Sequence, residues 1–267
     1  MNPVVPTPAF PALSTPGLST PDLPAPDLST PDLSTPDLPA PDLPAPDLPA
    51  LDLPTPGLST PGLSTPELPA PDLPIVETFY SVQGEGHWAG HSAFFIRLGG
   101  CDVGCSWCDT KHSWDASRHR SRSIAELVAA AAAVPSAHVI VTGGEPTLHD
   151  LQPLTQALRA AGCQPHLETS GAYPLRGDFQ WVTLSPKTVR SPHPSLYGQV
   201  HELKVVVADR SDLEWAESQA ALVSPTVVKF LQPEWSSPQS QALVYDYVLH
   251  HPTWRISLQT HKILKVR

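Results

Sequence analysis

Proline recurs in nearly every five-residue unit of the first 74 residues, and this repeat restricts folding more than any other feature of the chain. Leucine returns at every fifth position from Leu13 to Leu73, a period that matches neither the α-helix nor the β-strand. Proline fixes φ and lacks an N–H donor, and isolated leucines bury too little surface to offset the ordering entropy. We therefore predict that residues 1–74 form a disordered or semi-rigid spacer; a docking segment for a partner is the alternative.

Charge is divided unevenly between this leader and the rest of the chain. The 267 residues include 26 acidic and 16 basic side chains, with a net charge of -10, and the leader holds nine of the acidic and none of the basic ones. The remaining part is thus almost neutral, which excludes a strongly basic nucleic-acid platform. No apolar run reaches 18 residues, and the leader lacks the features of a secretory signal, so the sequence predicts a cytoplasmic protein without a membrane span.

From residue 75 onward the composition is that of one globular domain with a sizeable core. Predicted strands cover residues 93–98, 139–142, 166–168, 181–184, 202–207, 227–231 and 254–258, and predicted helices cover 124–134, 151–161, 213–222 and 239–250. Ser123 and Glu126 have capping-box spacing, and Gly162 suits a left-handed helix end. The alternation predicts an α/β fold with a parallel sheet. Fewer than 200 residues are short for eight units, which favours a partial, open βα barrel.

Three of the four cysteines, Cys101, Cys105 and Cys108, have the spacing C-x3-C-x2-C. Three thiolates on one short loop can bind three irons of a [4Fe–4S] cluster and leave the fourth iron open. A zinc site and a purely structural grouping are the alternatives, and disulfides are disfavoured because there is no signal peptide. Cys163 lies between a predicted helix end and a strand, where we expect a buried small hydrophobic residue.

This spacing after an apolar strand resembles the cluster loop of the radical S-adenosylmethionine (SAM) enzymes. The surrounding segments resemble, more specifically, the 7-carboxy-7-deazaguanine synthase family. The matching segments are residues 79–86 (FYSVQGEG), 95–100 (FIRLGG), 108–112 (CDTKH), 141–146 (VTGGEP), 167–171 (LETSG), 184–187 (LSPK), 231–233 (LQP) and 257–262 (SLQTHK). The resemblance runs from about residue 75 to the end of the sequence and does not include the leader.

The resemblance implies the partial barrel of the radical SAM type and a ring contraction. In that family, 6-carboxy-5,6,7,8-tetrahydropterin is converted to 7-carboxy-7-deazaguanine and ammonia, for queuosine and other deazapurines. A SAM-derived radical removes hydrogen from C6 of the substrate, and SAM is regenerated. The implied cofactors are a [4Fe–4S] cluster, SAM and Mg²⁺. The implied partners are the pterin substrate, a low-potential flavodoxin- or ferredoxin-like electron donor and a second copy in a homodimer.

The resemblance also implies a role for individual residues. The cluster ligands are Cys101, Cys105 and Cys108, and Thr110 corresponds to the Mg²⁺ position. SAM-binding positions are Trp107, Cys108, Asp109, Gly144, Ser185, Pro186, Lys187, Gln232, Pro233, Glu234 and Trp235. Substrate-binding positions are Val82, Gln83, Gly84, Glu85, Arg97, Thr142, His261 and Arg267. No catalytic residue is implied beyond the cluster and bound SAM.

The chemistry of the substrate agrees with several of these roles. The guanidinium of Arg97 suits the substrate carboxylate, whereas Glu85 can accept hydrogen bonds from the guanidine-like pterin edge. The terminal carboxylate of Arg267 is a further acceptor. A glycyl-radical activase is the nearest alternative enzyme, and a non-catalytic zinc or iron–sulfur scaffold is the alternative from another class.

Overall fold

The computed structural model of the chain describes residues 72–267. The predicted spacer therefore lies outside the described residues, apart from its last three positions. Of these, Leu73 and Pro74 open the first strand, and Leu73 is buried. The folded sheet thus starts two residues before the predicted beginning of the domain. No helix among the described residues is both long enough and apolar enough to cross a membrane.

Nine strands and five helices make up this part of the chain. The strands are β1 (Leu73–Val82), β2 (Ser92–Leu98), β3 (Ser121–Arg122), β4 (His138–Gly143), β5 (Gln164–Thr169), β6 (Trp181–Leu184), β7 (Glu202–Val207), β8 (Val228–Pro233) and β9 (Trp254–Ile256). The helices are α1 (Ile124–Ala132), α2 (Gln152–Ala160), α3 (Arg210–Ala220), α4 (Ser240–His250) and α5 (Thr260–Leu264). One sheet contains all nine strands in the order β3-β1-β2-β4-β5-β6-β7-β8-β9.

The sheet is open, as the sequence predicts, and most of it is parallel. All neighbours from β2 to β9 pair in parallel, but β1 pairs antiparallel with both β2 and β3. All seven predicted strands and four predicted helices are present, with ends shifted by a few residues. The predicted parallel sheet is present, but the antiparallel strands β1 and β3 at its edge were not predicted from the sequence. Pro74 and the polar residues Glu77 and Thr78 interrupt the apolar pattern of β1.

Two local predictions about helix ends are confirmed. Ser123 Oγ accepts the backbone N–H of Glu126 at 3.3 Å, and the Glu126 carboxylate accepts the N–H of Ser123 at 2.9 Å. This capping box satisfies two backbone donors that the helix itself leaves unpaired, which stabilises α1 by about 1 kcal/mol. Gly162, after α2, has a φ of +79°. Cys163 is buried, as expected.

The two faces of the parallel strands have different tasks. Residues such as Val141, Leu203 and Leu231 are fully buried in the cores on one face, where the helices pack. Side chains alternate along a strand, so Thr142 and Lys204 belong to the other, concave face. The fold therefore places its polar inward side chains around a cavity at one end of the strands.

Candidate active site

A cavity of about 390 Å³ lies at the C-terminal ends of the parallel strands. Every residue with a predicted metal, SAM or substrate role lines it, except Pro186. Pro186 is buried, whereas Ser185 and Lys187 on either side of it line the cavity. The structure thus brings the separate motifs together in one place.

The cysteine loop, residues 101–108, forms one wall of this cavity. Cys101, Cys105 and Cys108 all line the cavity and none forms a disulfide. The loop is held by backbone bonds, from Cys101 N to Trp114 O at 3.0 Å and from Cys108 N to Cys105 O at 3.3 Å. Burial raises the pKa of the Cys101 and Cys105 thiols, so iron binding must displace their protons.

The donor set of the cysteine loop fits an iron–sulfur cluster. Three free thiols on one loop face one cavity, and soft thiolates are the ligands that such clusters use. Among residues 72–267, no three His, Cys, Asp or Glu side chains converge as the ligands of a single metal ion would. A cubane cluster does not require three side chains to converge on one point, because each of its thiolates binds a different iron.

The turn after β4 packs directly against the cysteine loop. A Cβ atom on Gly144 would lie 2.1 Å from the carbonyl oxygen of Gly100, so only glycine permits this approach. The Glu145 carboxylate is buried and accepts the N–H of Thr147 at 3.0 Å and that of Ser170 at 2.9 Å. Glu145 thereby ties the turn to the end of β5.

A buried ion triad lies deeper in the cavity. Lys204 Nζ on β7 lies 2.7 Å from Glu85 Oε2 and 2.8 Å from Glu168 Oε2, and Lys204 is 4% exposed. Gln259 Nε2 donates to Glu85 Oε1 at 2.7 Å, and Gln83 Nε2 donates to Glu168 Oε1 at 3.0 Å. Each carboxylate of the triad therefore has two partners.

These contacts set the charges of the triad. Burial alone would raise the pKa of Glu85, but Lys204 and Gln259 lower it to about 2. Burial raises the pKa of Glu168, assisted by the charge of Glu85 and opposed by Lys204. Burial would lower the pKa of Lys204, yet its carboxylate neighbours raise it. Lys204 and Glu85 are therefore charged at neutral pH.

Sequence reasoning gave no role to Lys204, Glu168 or Gln259. A signal for Lys204 does exist, since a lysine within the apolar strand ELKVVV has to find a buried partner. Glu168 and Gln259 lie within two of the matched segments, but nothing in the sequence shows what they contact. Their pairing with residues 36 and 174 positions away appears only in the fold.

The end of the chain forms another wall of the cavity. Glu77 bridges two arginines, with Oε1 at 3.0 Å from Arg97 Nε and Oε2 at 2.7 Å from Arg267 Nη1. Ser81 Oγ donates to the terminal Arg267 O at 2.5 Å. A Cβ on Gly84 would lie 2.1 Å from His261 Nδ1, so glycine is required for this contact. His261 and Arg267 thus contact the cavity wall, although residues 263–267 are exposed.

The remaining predicted residues surround the cavity mouth. Thr110 Oγ1 lies 3.5 Å from Cys108 Sγ. Lys187 Nζ donates to Ser185 Oγ at 2.6 Å and lies 4.9 Å from the ring centre of Trp107. Lys262 Nζ lies 3.1 Å from Asp109 Oδ2 and 5.3 Å from the centre of the Trp235 ring. Val82, Gln232, Pro233 and Glu234 are further predicted residues that line the cavity.

Comparison with known proteins agrees with this arrangement. The radical SAM superfamily model matches residues 95–189, which include the cysteine loop. The 7-carboxy-7-deazaguanine synthase of Synechocystis sp. is 50% identical over 193 residues, which cover 72% of this chain and 93% of that protein. The synthase of Escherichia coli K12 is 36% identical, with 72% and 98% covered.

The chain belongs to the 7-carboxy-7-deazaguanine synthase family.

A solved structure supports the same assignment. The crystal structure of QueE from Escherichia coli matches with a TM-score of 0.65 and 32% identity, over 70% of this chain and 94% of that one. Family membership makes the chain a radical SAM lyase that uses a [4Fe–4S] cluster and SAM. The predicted cluster, SAM and open α/β barrel are therefore confirmed at the level of the family.

Proposed function

We propose that this chain converts 6-carboxy-5,6,7,8-tetrahydropterin to 7-carboxy-7-deazaguanine and ammonia, and that the residues of the cavity have the roles given below. The supporting observation is that one cavity contains three free thiols, an arginine and two buried carboxyl groups paired with Lys204. A substrate with a carboxylate at one end and a guanidine-like edge at the other needs both kinds of charge.

Cofactor binding falls to residues on three sides of the cavity. Cys101, Cys105 and Cys108 would hold the cluster, and SAM would lie against Gly144 and the other predicted SAM positions that line the cavity. When bound, the cluster and SAM supply the 5′-deoxyadenosyl radical that abstracts hydrogen. The protein orients the substrate for this chemistry and excludes water.

Substrate orientation is the task of the opposite charges. Arg97 uses only Nε on Glu77 within the described residues, which leaves its Nη donors for the substrate carboxylate. Glu85 and Glu168 accept from the guanidine-like edge while Lys204 keeps them in place. Val82, Gln83, Gly84, Thr142, His261 and the carboxylate of Arg267 complete the substrate contacts.

Further parts of the proposal concern the metal, the partners and the domains. Thr110 would hold Mg²⁺ through its hydroxyl, since Mg²⁺ prefers oxygen ligands and keeps few protein contacts. The enzyme is a cytoplasmic homodimer reduced by a flavodoxin- or ferredoxin-like donor. The predicted leader, residues 1–74, acts as a spacer up to the start of β1. Deletion of residues 1–71 leaves turnover intact, whereas Leu73 and Pro74 belong to β1 and stay in the truncated protein.

The test is an anaerobic assay of the reconstituted protein with SAM, a low-potential reductant, Mg²⁺ and the tetrahydropterin, followed by mass spectrometry. We expect 7-carboxy-7-deazaguanine, and none of it from Cys105→Ala. SAM cleavage to 5′-deoxyadenosine without this product would retain the superfamily and reject the substrate. Absence of cleavage by cluster-loaded protein would favour a metal-binding scaffold instead.

A further inference from the structure

A group of basic side chains beside the cysteine loop takes no part in the contacts described above. Residues 111–122, here called the basic segment, contain four basic side chains and one acidic one in a chain of net charge -10. The basic residues are Lys111, Arg118, Arg120 and Arg122, and the acidic residue is Asp115. Three of them, Lys111, Arg118 and Arg120, are exposed and form no salt bridge with any other described residue.

The basic segment is attached directly to the cysteine loop. Gly100 N donates to Ser113 O at 2.7 Å, and Cys101 N donates to Trp114 O at 3.0 Å. The segment then folds back on itself, because His119 Nε2 lies 2.9 Å from His112 O. A Cβ on Gly99 would lie 2.8 Å from His119 Cδ2, so the His119 ring packs on the residue two positions before Cys101.

Arg118 and Arg120 flank this packed histidine in the sequence. They therefore place positive charge on the exposed surface of a segment whose backbone is hydrogen-bonded to Gly100 and Cys101. Two acidic groups lie nearby, and both accept hydrogen bonds from neighbouring serines. Asp115 accepts from the N–H and hydroxyl of Ser117, and Glu126 accepts from Ser123 in the capping box of α1. The four basic side chains still outnumber these two carboxylates.

We propose that the basic segment is the docking surface for an acidic, low-potential electron-donor protein. The inference rests on the proposed function, in which the donor is oxidised by one electron and the [4Fe–4S] cluster is reduced by one. Electron transfer slows steeply with distance, so a productive complex must form close to the cluster. Opposite charge on the two surfaces accelerates association and orients the encounter. A small reductant such as dithionite needs no such surface.

The test compares Arg118→Glu/Arg120→Glu with the matched control Arg210→Glu/Arg255→Glu. The control makes the same charge change at exposed residues on α3 and on β9, at the opposite edge of the sheet from β3. The probe is an acidic flavodoxin, titrated against each full-length protein at low and at moderate salt. We expect binding of the first variant to weaken about tenfold at low salt and to lose most of its salt dependence, with the control unchanged.

Turnover provides a second readout. With flavodoxin as reductant, the Arg118→Glu/Arg120→Glu variant should be slow, whereas with dithionite it should match the wild type. Equal flavodoxin affinity in both variants would overturn the proposal, as would binding of an RNA oligomer that depends on Arg118 and Arg120 while flavodoxin binding does not. Failure of every protein to form product with dithionite would contradict the proposed function alone, since the binding titration requires no turnover.

Discussion

The two ends of the barrel both bury titratable side chains, but they treat them differently. At the cavity end, Glu85, Glu168 and Lys204 all have close partners. The opposite end, here called the barrel base, contains His138, His166, Trp181 and Glu202 at or near the starts of β4 to β7, together with Trp88. Of the four buried side-chain polar atoms without a hydrogen-bond partner among the described residues, three lie here: Trp88 Nε1, His138 Nδ1 and Glu202 Oε1.

This difference in hydrogen bonding determines which buried side chains change their charge near neutral pH. Glu202 is 1% exposed, and only its Oε2 is paired, with His87 N at 3.1 Å and Trp181 Nε1 at 3.2 Å. Burial raises the pKa of Glu202 to about 7 despite Lys204. Burial, with His138 and His201, lowers the pKa of His166 to about 4. Complete pairing therefore keeps Glu85 charged throughout the neutral range, whereas the incompletely paired Glu202 changes its charge within that range.

The largest effect is expected from breaking the ion triad. Lys204→Met leaves two buried carboxylates without their cation, so we expect a loss of about 3–5 kcal/mol in the free energy of unfolding at pH 7. Lys229→Met on the neighbouring strand β8 is the control, because Lys229 is only half buried and contacts the Trp254 ring. Denaturant titration of both variants measures the difference, and equal losses would mean that the triad has no special role.

Glu202→Gln tests the barrel base. A raised carboxyl pKa contributes stability that is present below pH 4.5 and is lost as pH rises through about 7. The wild-type protein should therefore lose free energy of unfolding between pH 5 and pH 8 because of Glu202, and the variant should not. The stability of the variant relative to the wild type should rise over this interval by on the order of 3 kcal/mol.

The matched variant at the cavity end is Glu85→Gln, for which the sign is opposite. The lowered pKa of Glu85 contributes stability above pH 4.5 that is lost as pH falls towards about 2. Glu85→Gln should thus be destabilising at pH 8. Thermal unfolding of Glu202→Gln and Glu85→Gln between pH 5 and pH 8 tests both predictions. If the stability of the two variants changed with pH in the same way, the proposed difference between the two ends would be wrong.

His166→Gln tests the same base with a smaller effect. A lowered histidine pKa contributes stability that is complete above pH 6.5 and is lost as pH falls towards about 4. Between pH 7 and pH 5, the free energy of unfolding of the variant should fall by about 2 kcal/mol less than that of the wild type. Exposed His112 provides the control His112→Gln, which should follow the wild type. Identical slopes in all three proteins would contradict the burial argument.

The smallest predicted effect concerns the end of the chain. Removal of Val266 and Arg267, or a tag added after Arg267, takes the terminal carboxylate from the cavity wall and should lower kcat/KM about tenfold, equivalent to about 1.4 kcal/mol. A tag of the same length before Met1 is the control. Steady-state kinetics compare the C-terminally altered proteins with this control. Full activity of the C-terminally tagged protein would show that Arg267 does not contact substrate.

The same two regions show how far sequence reasoning extends. The parallel strands and the cavity-lining residues followed from alternation and from matched motifs, since strand ends carry the motif residues to one edge. The strand β1 was missed because its polar residues hide the apolar pattern. Lys204 was missed because its partners Glu85 and Glu168 are distant in sequence. The histidines of the base received no role, because their burial and missing partners depend on how strands β4 to β7 are arranged.

Our proposed function requires that this cavity carries out the ring contraction by hydrogen abstraction from the substrate. The most direct measurement is the fate of deuterium placed at C6 of 6-carboxy-5,6,7,8-tetrahydropterin, followed by mass spectrometry of the product and of the recovered SAM. We predict 7-carboxy-7-deazaguanine together with deuterium in the SAM pool. Product formation without any transfer of deuterium to SAM would contradict the account.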